Sequence, residues 1–127
     1  REENPNGKFD LNKADLHEFK LNFANLNGAD LSNADLRSAK LNAADLSNAR
    51  LTWTNLSNAS LREATLRWAD AQSANLQGAD LDEANMLHIC LRGANLQCSK
   101  GTPITDKKTK NYIAAQHAAY SLYCSTD

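Results

Sequence analysis

Histidine, cysteine and carboxylate side chains are the groups of this sequence that could ligate a metal ion or transfer a proton. The histidines are His17, His88 and His117, and no cluster of cysteine and histidine residues has the spacing of a metal site. A Ser-His-Asp set, a glycine-rich phosphate loop and a cleft with paired carboxylates are not evident either. We therefore predict no catalytic, cofactor-binding or metal-binding residue, and a protein that is not an enzyme.

The composition narrows the class of protein further. The 127 residues suffice for one domain, and the net charge of −1 excludes a strongly basic nucleic-acid-binding protein. No apolar run approaches the roughly 18 residues of a membrane span. Alanine, leucine and asparagine make up 53 residues and valine is absent. Because ordinary strands favour β-branched residues, a conventional β-sandwich or barrel is not expected.

A five-residue period dominates the chain. Leucine recurs at every fifth residue from Leu11 to Leu96, at 16 of 18 positions, with Ala71 and Met86 as the exceptions. Alanine stands two residues before this central position in 14 of the 18 repeats, and Asp or Asn stands directly before it in 12. The repeating unit is therefore Ala-(Asp/Asn)-Leu-x-x, and it fills residues 9–98 without an insertion.

This period fits neither a regular helix nor a flat strand. Five residues turn an α-helix by about 500°, so successive leucines would spiral round every side of it. On a flat strand successive leucines would alternate between the two faces, because five is odd. A chain that bends after every fifth residue keeps one leucine and one alanine of each unit inside, and the period predicts such a chain.

The Ala-(Asp/Asn)-Leu-x-x units of residues 9–98 resemble those of the pentapeptide-repeat family. The resemblance implies an all-β solenoid, a right-handed quadrilateral β-helix with four repeats in each coil and therefore four to five coils. It also places Ala71 in one column with Leu51 and Leu91, where the missing leucine side chain should leave a void or draw in a neighbour. One repeat buries too little apolar surface to offset the entropy of ordering it, so the coils must stack and both ends need caps.

The N-terminal end departs from the repeat in its alanine position. Phe9 and Phe19 stand where alanine is usual. We predict that these large apolar side chains cap the open end of the first coil. Residues 1–8 are polar and contain a proline and a glycine, and they predict an N-terminal tail.

The C-terminal residues 99–127 predict a helical cap. A turn follows Cys98, and Thr105 or Asp106 can cap a helix over about 106–123. The residues that fall on one face of this helix are Tyr112, Ala115, Ala119 and Leu122. Small alanine side chains favour close packing over the last coil, whereas binding of the helix to a membrane is the alternative.

The three cysteines leave two interpretations open. Cys98 ends the last repeat and Cys124 ends the predicted helix, so a disulfide between them would fasten the cap and contribute about 3 kcal/mol. Cys90 would then be unpaired. The disulfide would indicate an oxidising compartment. The periplasm or the thylakoid lumen would fit, because the resembled family is abundant in cyanobacteria and plastids. Three free thiols in a reducing cytosol are the alternative.

Exposed aromatic residues give the candidate interaction surface. Trp53 and Trp68 each follow their central leucine by two residues, and in a coil of four repeats they flank one side of the third coil, near Arg50 and Arg67. Tryptophan with arginine is the usual composition of a binding hot spot. The alternative is that each ring lies flat over a corner of the coil.

The sequence thus predicts a rigid scaffold that binds an unidentified protein as a monomer, without nucleic acid and without membrane insertion. One alternative is a purely structural element without a specific ligand. Another is a DNA mimic that binds a topoisomerase, as some members of the resembled family do. However, residues 9–98 carry 11 Asp and Glu against 8 Lys and Arg. DNA of the same length would carry about 13 negative charges, so mimicry is the weaker alternative.

Overall fold

A computed structural model describes residues 8–120 as a stack of short coils followed by one helix, α1, at Lys107–Tyr120. In this part of the chain the β-structure consists of single-residue parallel bridges, from Asp10↔Asp30 to Asp80↔Lys100, each joining equivalent positions four repeats apart. Because each repeat forms one side, every coil has four sides. The last bridge, Asn85↔Ile104, has a shorter sequence separation, because the chain leaves the coil there.

A tight turn closes each five-residue unit and makes a corner of the coil. In the first unit the Ala14 N–H donates to the Leu11 carbonyl at 3.0 Å, and the third turn residue, Lys13, has a φ of 62°. This positive φ is the one that a type II turn requires. Fifteen residues other than glycine adopt it, all at the same position of the repeat. The bend predicted after every fifth residue is therefore a β-turn with a left-handed corner residue.

Aspartate and asparagine before the central leucine stabilise the turn that follows. The Asp30 carboxylate accepts the backbone N–H of Ser32 at 3.0 Å, and the Asn55 side-chain oxygen accepts that of Ser57 at 3.1 Å. The N–H two residues after the Asp or Asn is thereby satisfied locally. Ten further units repeat this contact, which gives a physical reason for the preference for these residue types.

Two backbone hydrogen bonds join each side of a coil to the next coil. Leu31 N–H donates to the Arg50 carbonyl at 2.8 Å, and Arg50 N–H donates to the Ala29 carbonyl at 2.9 Å. The central leucines and their alanines point inward and form one continuous core. From Leu31 to Leu81 the central leucines are at most 1% exposed. The core is therefore solid in the middle coils.

Thr54 is a polar exception inside this core. It occupies an alanine position, is fully buried, and donates its hydroxyl to the Leu31 carbonyl at 2.7 Å. A buried hydroxyl without a partner would be costly, and this hydrogen bond removes that cost.

The first coil is less completely covered than the coils above it. Phe9 is half-buried and packs against the core, as do the half-buried Leu16 and Leu21. Phe19 is 51% exposed, so it covers the end of the stack only in part. The predicted tail lies outside the described residues, except for Lys8.

Helix α1 lies against the last coil and supplies hydrogen bonds that another coil would supply. The Asp106 carboxylate accepts the Thr109 N–H at 2.8 Å and so caps the helix, as one of the two predicted capping residues. Tyr112 Oη and Gln116 Nε2 both donate to the Ala94 carbonyl at 2.8 Å. Gln116 Oε1 accepts the Leu96 N–H at 2.6 Å. None of the described helices is long and apolar enough to span a bilayer.

The face that α1 turns to the coil differs from the predicted one. Thr109 and Ile113 are buried and Tyr112 is half-buried, whereas Ala115 is exposed, so its predicted packing contact is wrong. The reason is that the open backbone edge of the last coil needs hydrogen-bonding partners, which Tyr112 and Gln116 offer and alanine does not. The side chains of Ala119 and Leu122 are not among those that the structure describes, so their predicted contacts stay predictions.

Replacing Ala71 by leucine should stabilise the protein. Ala71 is fully buried, one coil above Leu51 and one coil below Leu91. Filling the column should raise the free energy of unfolding by about 1 kcal/mol, measured by chemical denaturation. The matched variant Leu51→Ala should lower it by about 2–5 kcal/mol. A lower stability of Ala71→Leu would mean that the neighbouring side chains already fill this place.

Candidate interaction face

Trp53 and Trp68 stand out from two corners of the coil stack. Both occupy the left-handed corner position, with φ values of 59° and 62°. Their side chains are 70% and 58% exposed. Because a corner residue takes part in no inward packing, a large ring can be accommodated there without disturbing the core. The exposure of Trp53 does not fit the alternative in which its ring lies flat against the coil.

The two corners enclose one side of the stack. The bridges Asp30↔Arg50 and Arg50↔Asp70 run up the middle of this side, with Trp53 at the corner after it and Trp68 at the corner before it. We call this side, bounded by the two tryptophans, the tryptophan face. Arg50 Nη1 lies 4.0 Å from Asp30 Oδ2.

Arg67 joins the same face from the neighbouring corner. The Asn48 N–H donates to the Arg67 carbonyl at 3.0 Å, which places Arg67 one coil above the corner that precedes Arg50. Arg67 is exposed. The fold therefore brings all four predicted residues to one face, as the coil geometry requires.

His88 extends the aromatic surface upward, and sequence analysis did not assign it there. Its ring stacks on that of Trp68, with ring centroids 4.2 Å apart and an interplanar angle of 16°. His88 follows Trp68 by four repeats and so occupies the same corner one coil higher. The coil period was the signal that could have identified this pair.

A second group of titratable residues lies near the first coil. His17 Nδ1 donates to Asp15 Oδ1 at 2.5 Å, and Asp35 stands one coil above Asp15. One ligand atom from each of these three residues lies within 4.8 Å of the others. Arg37 binds both oxygens of the Asp35 carboxylate, at 2.8 and 2.7 Å. Because a cation would compete with this guanidinium, we assign the group to surface ion pairing.

The pKa shifts in this group follow from its hydrogen bonds. The hydrogen bond with the His17 side chain lowers the pKa of Asp15, and the same bond raises the pKa of His17 above its ordinary value. The Arg37 side chain likewise lowers the pKa of Asp35. Both groups of the His17–Asp15 pair are therefore charged at pH values between the lowered pKa of Asp15 and the raised pKa of His17.

The cysteines lie in different surroundings. Cys90 is a half-buried free thiol, as predicted. Cys98 is half-buried at the end of the last unit. Its predicted partner, Cys124, lies outside the described residues, so this pairing stays a prediction.

Comparison with known proteins agrees with this geometry. The family described as pentapeptide repeats matches residues 10–48, 20–58 and 59–97, in 8 copies. HetL, a pentapeptide repeat protein involved in heterocyst differentiation regulation in the cyanobacterium Nostoc sp. strain PCC 7120, is 38% identical over 72% of this chain, with a TM-score of 0.69. The match covers 44% of HetL, so the chain spans less than half of that protein.

A second solved structure is similar over more of its length. It is a pentapeptide repeat protein from the thylakoid lumen of Arabidopsis thaliana, 28% identical, and the match covers 84% of this chain and 74% of that one, with a TM-score of 0.80. No curated protein matches the sequence.

Proposed function

Because this chain belongs to the pentapeptide-repeat family, we propose that it is a rigid, non-enzymatic module that binds another protein through the tryptophan face. Proteins of the family are generally structural or binding modules. The observation that carries the proposal is the pair of exposed tryptophan rings beside two arginines, on corners that the coil ladder holds in place. A purely structural role without a ligand would leave the exposed Trp53 ring without a function.

The rigid support is what makes these side chains suitable for binding. Tryptophan buries a large area for only two rotatable bonds, and arginine can pair with carboxylates or stack on aromatic rings. A preorganised backbone lowers the entropy lost on association. The solid interior offers no space for a substrate among the middle coils, which supports a role for the outer surface.

We infer that the complete fold is a right-handed quadrilateral β-helix of 18 repeats with α1 as its C-terminal cap. The handedness is supported by the pentapeptide-repeat neighbours. The count is supported by the uninterrupted period of residues 9–98. The bridges continue to Ile104, so part of the predicted cap region follows the path of a coil.

The charges of the stack do not favour DNA mimicry. Arg62 lies 3.4 Å from Asp80 and 3.3 Å from Asp82, and Arg37 and Arg50 pair with aspartates in the same way. A mimic of DNA needs a continuous row of unpaired negative charges. On the described sides negative groups are mixed with positive and neutral ones instead, as in the column Asp30, Arg50 and Asp70.

We also propose an oxidising compartment, with a disulfide between Cys98 and Cys124. The support is the similar protein from the thylakoid lumen and the cyanobacterial source of HetL. A disulfide at this place would fasten the segment after α1 to the end of the last unit.

Removing both tryptophan rings should abolish partner binding without unfolding the protein. The variant Trp53→Ala/Trp68→Ala should capture at least ten-fold less of a partner from cyanobacterial or thylakoid extracts, because hot-spot residues each contribute about 2 kcal/mol or more. Captured proteins are quantified by mass spectrometry, and the melting temperature is measured in parallel.

Phe23→Ala is the matched control, because Phe23 is an aromatic corner residue that is 81% exposed on a different corner. It should leave capture unchanged. Undiminished capture by the double variant, together with a lower melting temperature, would show that the rings serve packing instead.

Counting thiols tests the proposed disulfide. The protein, isolated without reductant and unfolded in excess iodoacetamide, should take up one alkyl group, at Cys90. After reduction all three cysteines should react. Three alkyl groups before reduction would contradict both the disulfide and the oxidising compartment.

A further inference from the structure

Among residues 8–120, the upper edge of the last coil is covered on the sides of Asn85 and Asn95 and lacks such cover on the side of Cys90. At the side of Asn85, Ile104 N–H donates to the Ala84 carbonyl and Met86 N–H donates to the Ile104 carbonyl, both at 2.8 Å. At the side of Asn95, the Ala94 carbonyl and the Leu96 N–H are bound by side chains of α1. These carbonyl and N–H groups stand at equivalent positions of the repeat.

The side between them has no such cover. The equivalent groups there are the Ile89 carbonyl and the Leu91 N–H, and neither has a hydrogen-bonding partner among residues 8–120. In the coils below, the same two positions are always paired: Leu51 N–H donates to the Asp70 carbonyl at 2.6 Å, and Asp70 N–H donates to the Ala49 carbonyl at 3.0 Å. An unpaired edge of this kind is a template for one more strand.

The edge is open because of the path of the chain. After Ile104 the chain leaves the coil, and α1, capped by Asp106, begins in place of the corner that would lie above His88. A cleft of about 700 Å³ remains between this side and the first turns of the helix. Its walls include Trp68, His88, Leu91, Arg92, Lys108 and Tyr112.

The lining of the cleft favours a negatively charged occupant. Arg92 and Lys108 are exposed cations, and Asp106 is the one acidic residue of the lining. The Asp106 carboxylate already accepts hydrogen bonds from the Thr109 backbone and side chain, which lower the pKa of this group. It therefore stays ionised while it serves the helix cap, and it offsets only one of the two positive charges of Arg92 and Lys108.

The floor of the cleft is apolar and not fully covered. Ile89 and Leu91 are each 8% exposed, whereas the central leucines of the middle coils are at most 1% exposed. An occupant with small apolar side chains on its inner face would complete this end of the core.

We propose that an extended, acidic peptide segment of a partner protein binds in this cleft as an added strand. Its backbone accepts the Leu91 N–H and donates to the Ile89 carbonyl, and its carboxylates lie beside Arg92 and Lys108. This is strand addition to an open sheet edge, in which the backbone bonds give affinity and alternate side chains give specificity. The inference rests on the proposed function as a binding module, but it names a second contact region, which Trp68 links to the tryptophan face.

The coil register defines a probe peptide. The peptide residue above Cys90 would make both backbone hydrogen bonds, as Asp70 does above Arg50. The residue before it would face inward above Ile89, and the residue after it would face inward above Leu91. The blocked peptide acetyl-Glu-Ala-Asp-Leu-Glu-amide places alanine and leucine inward and carboxylates outward.

The test is a titration of the isotope-labelled full chain with this peptide, followed by amide NMR signals. The Leu91 and Arg92 signals should shift saturably, with a Kd on the order of 1 mM or tighter. Hydrogen exchange of the Leu91 amide should slow by about ten-fold or more at saturation, because the added strand satisfies this N–H. The same peptide methylated on the aspartate nitrogen should bind at least ten-fold more weakly, since it cannot donate to Ile89.

Charge variants test the acidic preference. Arg92→Glu/Lys108→Glu should weaken peptide binding at least ten-fold, and Lys20→Glu/Lys40→Glu, which reverses two charges on another side of the stack, should leave it unchanged. The peptide Lys-Ala-Lys-Leu-Lys should bind only to the Arg92→Glu/Lys108→Glu variant.

Three results would overturn the inference. They are an unshifted Leu91 amide at about 5 mM peptide, equal binding of the methylated peptide, and equal binding to the Arg92→Glu/Lys108→Glu variant. The variant Trp53→Ala separates this inference from the proposed function, because Trp53 does not line the cleft. Peptide binding should survive Trp53→Ala. If the peptide fails to bind, strand addition is wrong, but the proposed function still predicts that the tryptophan variants lose partner capture.

Discussion

The backbone ladder between coils is the constraint on which the rest of this structure depends. Each inner unit both donates to and accepts from the coils above and below it, always at the same spacing, as Leu31 does with Arg50. A single inserted residue would move every later leucine out of its column and break the hydrogen bonds of a whole coil. Since one unit cannot offset its own ordering entropy, the coils are stable only together. The same ladder leaves unpaired groups wherever the stack ends.

This constraint decides where function can lie. The interior is filled by leucine and alanine, so binding groups must stand on the outer positions that the ladder does not use. Trp53 and Trp68 occupy left-handed corners, where the backbone is fixed and the side chain is free. The other place is the end of the stack, where helix α1 replaces a coil on one side and leaves the neighbouring side open at Leu91. Both regions combine aromatic and cationic groups, and Trp68 belongs to both.

The sequence predicted the inward leucines and alanines, the regular bends and a helix cap at Thr105 or Asp106, because each depends on local spacing or on one residue type. The burial face of α1 could not. The periodicity of the helix favoured Ala115, but the orientation is determined by the backbone groups of Ala94 and Leu96, which lie far away in sequence. The stacking of His88 on Trp68 and the grouping of Asp15 with Asp35 depend on a coil length of four repeats, which the five-residue period does not give and only the family resemblance implies.

Backbone nuclear Overhauser effects in the 127-residue chain test the central claim most directly. The account predicts cross-peaks between backbone protons of residues four repeats apart at the position before each central leucine, such as Arg50 and Asp70, along the stack from Asp10 to Lys100. Cross-peaks typical of a continuous helix over residues 9–98, or pairing at any other constant separation, would contradict the coil ladder and every surface derived from it.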